Sequence, residues 1–176
     1  MLVLASLAVV VIAQSAPADV PRDVGHSTAG DRRFLQEAAV AGRAQVDLGE
    51  LAAKRAQDPR VQQFARQVAT DRKTASKELM QLAKRLDVPL STAMAPRQKA
   101  LHDRLSKARG EDFDRQYMSA MVDDHRAEVA TFEREAREGR DPEVKAFAER
   151  TLPTLRQHLE LAQATAKAAG ATAGTR

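Results

Sequence analysis

The sequence predicts an all-α protein in which four long helices form an antiparallel bundle, and three observations predict this fold. Apolar residues recur at helical spacing over four long segments. Aromatic residues make up only 3% of the chain, a composition that favours helices over strands. A short helix-starting motif occurs twice, which indicates two related helical hairpins.

The N-terminal residues predict export. Leu2 to Ala13 is an unbroken apolar run, too short to cross a bilayer, and small residues suited to signal peptidase follow it. We therefore predict a signal peptide over residues 1–18, although no Lys or Arg precedes the apolar run. An uncleaved N-terminal anchor is the alternative, and either would place the domain outside the cytoplasm. The prediction then assigns residues 19–30 to a flexible leader, 31–169 to the bundle and 170–176 to a frayed tail.

Helix boundaries follow from capping residues, Pro and Gly. We predict helices from Asp31 to Gln57, from Pro59 to the Val88-Pro89 stop, from Glu111 to Glu138 and from Pro142 to Ala169, with a short connector helix from Pro96 to Lys107. Pro153 lies inside the last helix, where it predicts a kink.

The two hairpins share a motif. Asp58-Pro59-x-Val61-x-x-Phe64-Ala65 recurs as Asp141-Pro142-x-Val144-x-x-Phe147-Ala148, at a constant offset of 83 residues. Short turns within each hairpin and a longer connector between them are typical of a ferritin-like bundle with one crossover.

Polar side chains interrupt the apolar stripes near the middle of each long helix. Because residues 3 or 4 apart share a helix face, we predict that these side chains meet in one polar layer across the core. The residues are Gln45, Arg72, Asp124, His125, Glu128 and His158.

Two interpretations of this layer remain open, beside the alternative that these residues face outward and are unrelated. It could be a structural network in which Arg72 pairs with Glu128 or Asp124 and fixes helix register. It could instead hold one divalent metal ion through His125, His158 and one carboxylate, from Glu128 or Asp124. The permanent cation of Arg72 argues against the metal, and a di-iron site is not expected because the sequence contains no Glu-x-x-His motif.

Other functions lack a sequence signal. The 28 basic and 24 acidic residues are interspersed, so no basic stripe predicts nucleic-acid binding. The chain has no Cys, which excludes disulfides and thiolate ligands, and it has neither a Gly-rich phosphate loop nor a nucleophile-elbow motif. We expect no enzyme activity and no cofactor apart from that metal, and membrane association only through an uncleaved N-terminal segment. A surface module that binds lipid or protein is a further alternative.

The ordered motifs resemble one family, the exported bacterial domain of unknown function 4142 (DUF4142), from Asp31 to Ala166. The motifs are Phe34-Leu35-x-x-Ala38-Ala39, Gly49-x-Leu51-Ala52, Val61-x-x-Phe64-Ala65, Phe113-Asp114-x-x-Tyr117-Met118-x-x-Met121-Val122-x-x-His125, Phe132-Glu133 and Leu152-Pro153-x-Leu155-x-x-His158-Leu159. The resemblance implies a ferritin-like fold, export to the periplasm or cell envelope, and an outer-membrane label, but no established activity.

Family members commonly carry a Glu midway along the first helix and Asp-His on the second. This chain has Gln45 and Asp71-Arg72 there, which argues against a metal role carried over from the family. We therefore expect a non-catalytic periplasmic or envelope protein that acts in envelope stress or through its surface.

Overall fold

The computed structural model describes residues 27–91 and 93–173, and this part of the chain contains no β-strand. The predicted all-α class is confirmed. The predicted signal peptide and most of the predicted leader lie outside the described residues. The five helices are α1 (Ala29–Arg55), α2 (Pro59–Arg85), α3 (Pro96–Lys107), α4 (Gly110–Glu138) and α5 (Pro142–Ala173).

The helix ends differ from the prediction by a few residues. α1 begins at Ala29 because Thr28 forms a capping box, in which the Thr28 hydroxyl accepts from the Asp31 backbone N–H at 3.2 Å. α5 extends to Ala173, four residues beyond the predicted end. It continues through Pro153, and the kink predicted there stays a prediction.

Both Asp-Pro motifs begin helices as the sequence predicts. Asp58 accepts from the Arg60 backbone N–H at 2.8 Å, and Pro59 occupies the first turn of α2. Asp141 accepts from the Glu143 backbone N–H at 2.9 Å at the start of α5. Each carboxylate satisfies a backbone donor that a helix start leaves unpaired.

The four long helices pack as two hairpins, α1 with α2 and α4 with α5, and α2–α5 and α1–α4 contacts join the hairpins. α2 and α5 run in opposite directions. Arg60 at the start of α2 donates to the Ala168 carbonyl near the end of α5 at 3.2 Å. At the other end, Arg85 of α2 pairs with Glu143 of α5 at 2.6 Å.

Two apolar clusters fill the core, one towards each end of the helices. In one, Phe64 lies edge-to-face with Tyr117. In the other, the Phe34 and Phe132 ring centroids are 4.8 Å apart. Along every long helix, the predicted polar positions fall between the residues of the two clusters, so the polar side chains divide the core.

The connection between the hairpins includes α3, which contacts α1 and α4. Leu101 and Leu105 are its buried residues. Arg55 at the end of α1 donates to the Ser106 carbonyl at 2.6 Å. Among the described helices, none combines the length and apolar character that crossing a membrane would require.

Candidate functional site

Five of the six predicted polar residues are buried in the core. Their exposed fractions are 2% for Gln45, 4% for Arg72, 0% for His125, 8% for Glu128 and 1% for His158. Burial at this level demands a partner for each charge.

Arg72, Glu128 and Gln45 form a closed triangle that joins three helices. The Arg72 guanidinium pairs with Glu128 Oε2 through one NH2 group. Its Nε–H donates to Gln45 Oε1 at 2.6 Å, and Gln45 Nε2 donates to the same Glu128 oxygen. Every member of the triangle thus contacts the other two, which ties α1, α2 and α4 at one height.

His125 lies beside this triangle on α4. Its Nδ1 is 2.8 Å from the Met121 backbone carbonyl oxygen. A carbonyl can only accept, so Nδ1 carries the proton and Nε2 presents a lone pair. Burial, followed by the nearby Arg72 cation, lowers the pKa of His125 to about 3, so the ring is neutral at neutral pH.

His158 on α5 has the opposite tautomer. Its Nε2 is 2.8 Å from the Asp71 carboxylate, so Nε2 carries the proton and Nδ1 presents the lone pair. Burial lowers the pKa of His158 and outweighs the opposing effect of Asp71. This ring is therefore also neutral at neutral pH.

The two imidazoles are neighbours. Their centroids are 5.5 Å apart and their planes meet at 84°. His125 Nε2 and His158 Nδ1, called here the open nitrogens, are buried and have no hydrogen-bond partner within the described part of the chain. Phe64 packs against His125 at 6.1 Å between centroids. The site thus presents two neutral nitrogen donors from two helices.

A groove of about 250 Å³ between α2 and α5 leads from solvent to this region. Asp71, Arg72 and His158 line it, together with Glu78 and Arg150. The Asp71 side chain is 38% exposed, so it is accessible to solvent while it holds His158. Of the two imidazoles, His158 lines this groove, and His125 lies behind it in the core.

The prediction that Asp124 joins the layer is wrong. Its side chain is 23% exposed and faces α3, where it pairs with Arg97 at 3.6 Å. The neighbouring position His125 points into the core, and the 100° step between adjacent residues turns Asp124 away from it. Burial raises the pKa of Asp124.

The predicted three-ligand metal set also needs correction. Glu128 Oε2 is occupied by Arg72 and Gln45, whereas Glu128 Oε1 is buried and has no hydrogen-bond partner within the described residues. Within residues 27–91 and 93–173, no three His, Cys, Asp or Glu side chains group as a metal site. Of the predicted set, the structure brings together only His125 and His158 as neutral donors.

Asp114 and Asp31 are buried carboxylates that the sequence prediction missed. Asp114 accepts from the Gln57 and Asp58 backbone N–H groups at 3.0 and 2.7 Å, in the turn of the first hairpin. Asp31 accepts from the Arg140 backbone N–H at 3.0 Å, in the turn of the second hairpin. The offset of 83 residues that relates the two motifs also relates Asp31 to Asp114, Gln57 to Arg140 and Gln45 to Glu128. This offset is the sequence signal that could have revealed the buried carboxylates Asp31 and Asp114.

Comparison with known proteins decides the family. The sequence profile described as "Domain of unknown function (DUF4142)" matches residues 16–165, well over half of the chain. The chain belongs to the DUF4142 family. No curated protein matches this DUF4142 chain significantly in sequence.

Solved structures share the fold of this DUF4142 protein. A DUF305 fragment from Deinococcus radiodurans superposes with a TM-score of 0.72 at 19% identity, covering 80% of this chain and 97% of the fragment. CopM in its Cu(I)-bound form gives 0.64 at 18% identity, covering 76% and 92%. CopM in its Cu(II)-bound form gives 0.66 at 18% identity, covering 78% and 95%. At these identities, the likeness shows a shared fold.

Proposed function

We propose that this DUF4142 protein is an exported, non-catalytic helical bundle that binds a transition-metal ion through His125 and His158. The open nitrogens carry this proposal, because they are two neutral, buried lone pairs on adjacent rings. Imidazole nitrogen is a good ligand for copper, zinc, nickel and iron.

The hydrogen bonds on the other ring nitrogens support the proposal. Metal-binding His residues usually donate their second N–H to a carboxylate or a backbone carbonyl, which fixes the tautomer. His158 has the Asp71 carboxylate in this role, and His125 has the Met121 carbonyl. The pattern is therefore that of two ligands oriented for a metal.

The Arg72 cation counts less against a metal than the sequence suggested. Glu128 balances its charge within the triangle, so the guanidinium is not an isolated cation beside the imidazoles. Glu128 then acts as the counter-ion of Arg72 and not as a metal ligand.

The CopM structures make copper the metal of first interest. CopM, whose fold is similar, has been solved with Cu(I), with Cu(II) and with silver bound. Sequence identity of 18 to 19% does not carry those ligands over, but it makes copper the first ion to test.

The fold and location form part of the same proposal. We infer an antiparallel, ferritin-like four-helix bundle in which α3 lies on the crossover, supported by the opposed directions of α2 and α5.

Export to the periplasm or envelope is supported by the apolar run from Leu2 to Ala13. N-terminal sequencing of the protein from a periplasmic fraction should find a chain that starts after Ser15 or Ala18; a chain retained whole in the cytoplasm would contradict export.

Metal stoichiometry tests the main proposal. The full-length protein is stripped of metal, loaded with Cu(I) under a competing chelator, and measured by elemental analysis. We expect about one ion per chain in the wild type and a large loss in His158→Ala and His125→Leu. His102→Ala, which removes a half-exposed His on α3, is the matched control and should keep the ion. Absence of copper from the wild type, or full loading of His158→Ala, would contradict the proposal.

A second candidate function uses the surface instead of the core. A cleft of about 750 Å³ near the start of α4 has Met118, Val122 and Ala166 in its wall, and both arginines and carboxylates line it. Such a cleft suits an amphipathic lipid or peptide. Co-sedimentation with anionic vesicles at low salt tests it, and protein that stays in the supernatant would remove the lipid version.

A further inference from the structure

The formal charges of the groups around the imidazole pair do not sum to zero. Asp71 holds His158, and Arg72 and Glu128 lie in the adjoining triangle. These three groups sum to one negative charge, and since Arg72 and Glu128 cancel, that charge lies on the 38%-exposed Asp71 at the solvent edge of the site. Asp124 and Arg97 form a separate neutral pair towards α3, and Glu78 and Arg150 on the groove wall also cancel.

A buried site is most stable when its total charge is close to zero, because an uncompensated charge is costly in a low-dielectric core. One monovalent cation at the imidazole pair brings the total to zero. A divalent cation leaves one positive charge beside the Arg72 guanidinium, with apolar clusters on both sides.

The number of available ligands also favours a monovalent cation over a divalent one. The open nitrogens are two donors, and no third His, Cys, Asp or Glu joins them in the part of the chain that the structure describes. Divalent zinc requires about four ligands, so two waters would have to enter the core. Monovalent copper and silver are satisfied by two nitrogen ligands.

We propose that the His125–His158 site selects a monovalent soft cation, Cu(I) or Ag(I), over divalent ions, because Asp71, Arg72 and Glu128 leave it a single negative charge. This inference rests on the proposed metal-binding function. Arg72 then contributes to selectivity, because its guanidinium neutralises the Glu128 carboxylate, the second negative charge that a divalent ion would need.

Ag(I) and Zn(II) are the probes, since neither changes oxidation state. The full-length protein contains no Cys, so silver cannot be captured by a thiolate. Carbon–hydrogen NMR signals of the His rings report binding at this site, and methionine methyl signals report silver bound elsewhere, such as at the 55%-exposed Met80.

We expect Ag(I) to shift the His125 and His158 signals at about one equivalent, while Zn(II) leaves them unchanged. If Zn(II) shifts both signals at lower concentration than Ag(I), the charge-selection inference is overturned and the metal-binding function stands. If neither ion shifts them, both are overturned.

A charge series then tests the role of Arg72. Arg72→Gln leaves two negative charges and should move the silver-to-zinc affinity ratio towards zinc by about tenfold or more. The double variant Arg72→Gln with Glu128→Gln returns to one negative charge and should restore the preference for silver. Arg97→Gln, which removes an exposed cation from the separate pair, is the control.

Circular dichroism checks that each variant is folded. If Arg72→Gln does not fold, Glu128→Gln replaces it: this variant leaves no net charge and should bind silver about tenfold more weakly than the double variant. An affinity ratio that is the same in Arg72→Gln and the double variant, or equal silver affinity in Glu128→Gln and the double variant, overturns the inference.

Discussion

Arg72 lies where three helices meet, and its guanidinium serves two acceptors at once. A buried ion pair of this kind contributes little net stability, because desolvation offsets the attraction, but losing one partner leaves the other charge stranded. The stability of the core therefore depends on Arg72 and Glu128 being present together.

Arg72→Ala should lower the free energy of unfolding by about 3–5 kcal/mol, since Glu128 would remain buried without its cation. Urea unfolding followed by circular dichroism measures the change. Arg66→Ala, an exposed Arg on the same helix, should stay within about 0.5 kcal/mol of the wild type. If the thermal midpoint of Arg72→Ala hardly moves, the triangle does not exist in solution.

His125 should make the protein sensitive to acid. Burial holds the pKa of His125 at about 3 in the folded state, below the ordinary value of 6.5, so the unfolded chain binds the extra proton. The stability from this group is present above about pH 6.5 and is lost as the pH falls towards 3. Urea titrations across this range should give a steeper decline for wild type than for His125→Leu. Equal slopes would show that His125 is solvated.

Glu135 should have the opposite pH dependence. It is buried on α4, and burial, followed by the neighbouring Asp31, raises its pKa from 4.5 to about 7. The folded state therefore holds a proton that the unfolded chain releases, and the contribution of Glu135 to stability falls as the pH rises from 4.5 to 7. Glu135→Gln, which cannot titrate, should be relatively more stable than the wild type at the upper end of this window. A stability difference that does not vary with pH would contradict the assignment.

At the scale of helices, close approach of α1 and α2 depends on one residue without a side chain. A Cβ on Gly49 would lie 2.9 Å from the Ala65 carbonyl oxygen and 3.0 Å from the Ala69 Cβ. Backbone atoms cannot move aside as a flexible side chain can, so any larger residue must push the helices apart.

Gly49→Ala should destabilise the protein by roughly 1–3 kcal/mol. Gly42→Ala is the matched control on the same helix, where the added Cβ would lie an ordinary 3.4 Å from the Ser76 hydroxyl. This control should gain up to about 1 kcal/mol, because Ala has the higher helix propensity. Thermal unfolding of both variants measures the difference, and a stabilised Gly49→Ala would rule out the tight crossing.

At the scale of the whole molecule, each hairpin uses a carboxylate from the other to hold its turn. Asp114 of the second hairpin binds the 57–58 turn, and Asp31 of the first hairpin binds Arg140. The contacts lie at opposite ends of helices that are about 40 Å long. The duplication indicated by the motif offset is therefore also present in the tertiary contacts.

Asp31→Ala and Asp114→Ala should each cost about 1–3 kcal/mol, because buried backbone N–H groups would lose their acceptor. The two losses should add within about 0.5 kcal/mol in the double variant, since the sites are far apart and share no partner. Urea unfolding of the two single variants and the double variant measures this. A strong departure from additivity would show that the two ends are coupled.

Much of this structure could be predicted from residue patterns. The Asp-Pro motifs begin α2 and α5, and the connector helix spans Pro96–Lys107 as predicted, because capping and Pro geometry are local. The burial of Arg72 and His158 follows from stripe spacing. Asp124 could not be placed, because spacing alone does not say how wide the buried stripe is or that α3 supplies Arg97 as its partner.

The sequence by itself determined the helices, their starts and the set of polar residues at mid-height, since these depend on propensity, capping and period within one segment. Only the tertiary structure decided which partners those residues take. The hydrogen bond from His158 Nε2–H to the Asp71 carboxylate joins residues 87 apart, and its direction sets the tautomer that leaves the other ring nitrogen without a proton. Chemistry at this site depends on that lone pair, which no pattern within a single helix specifies.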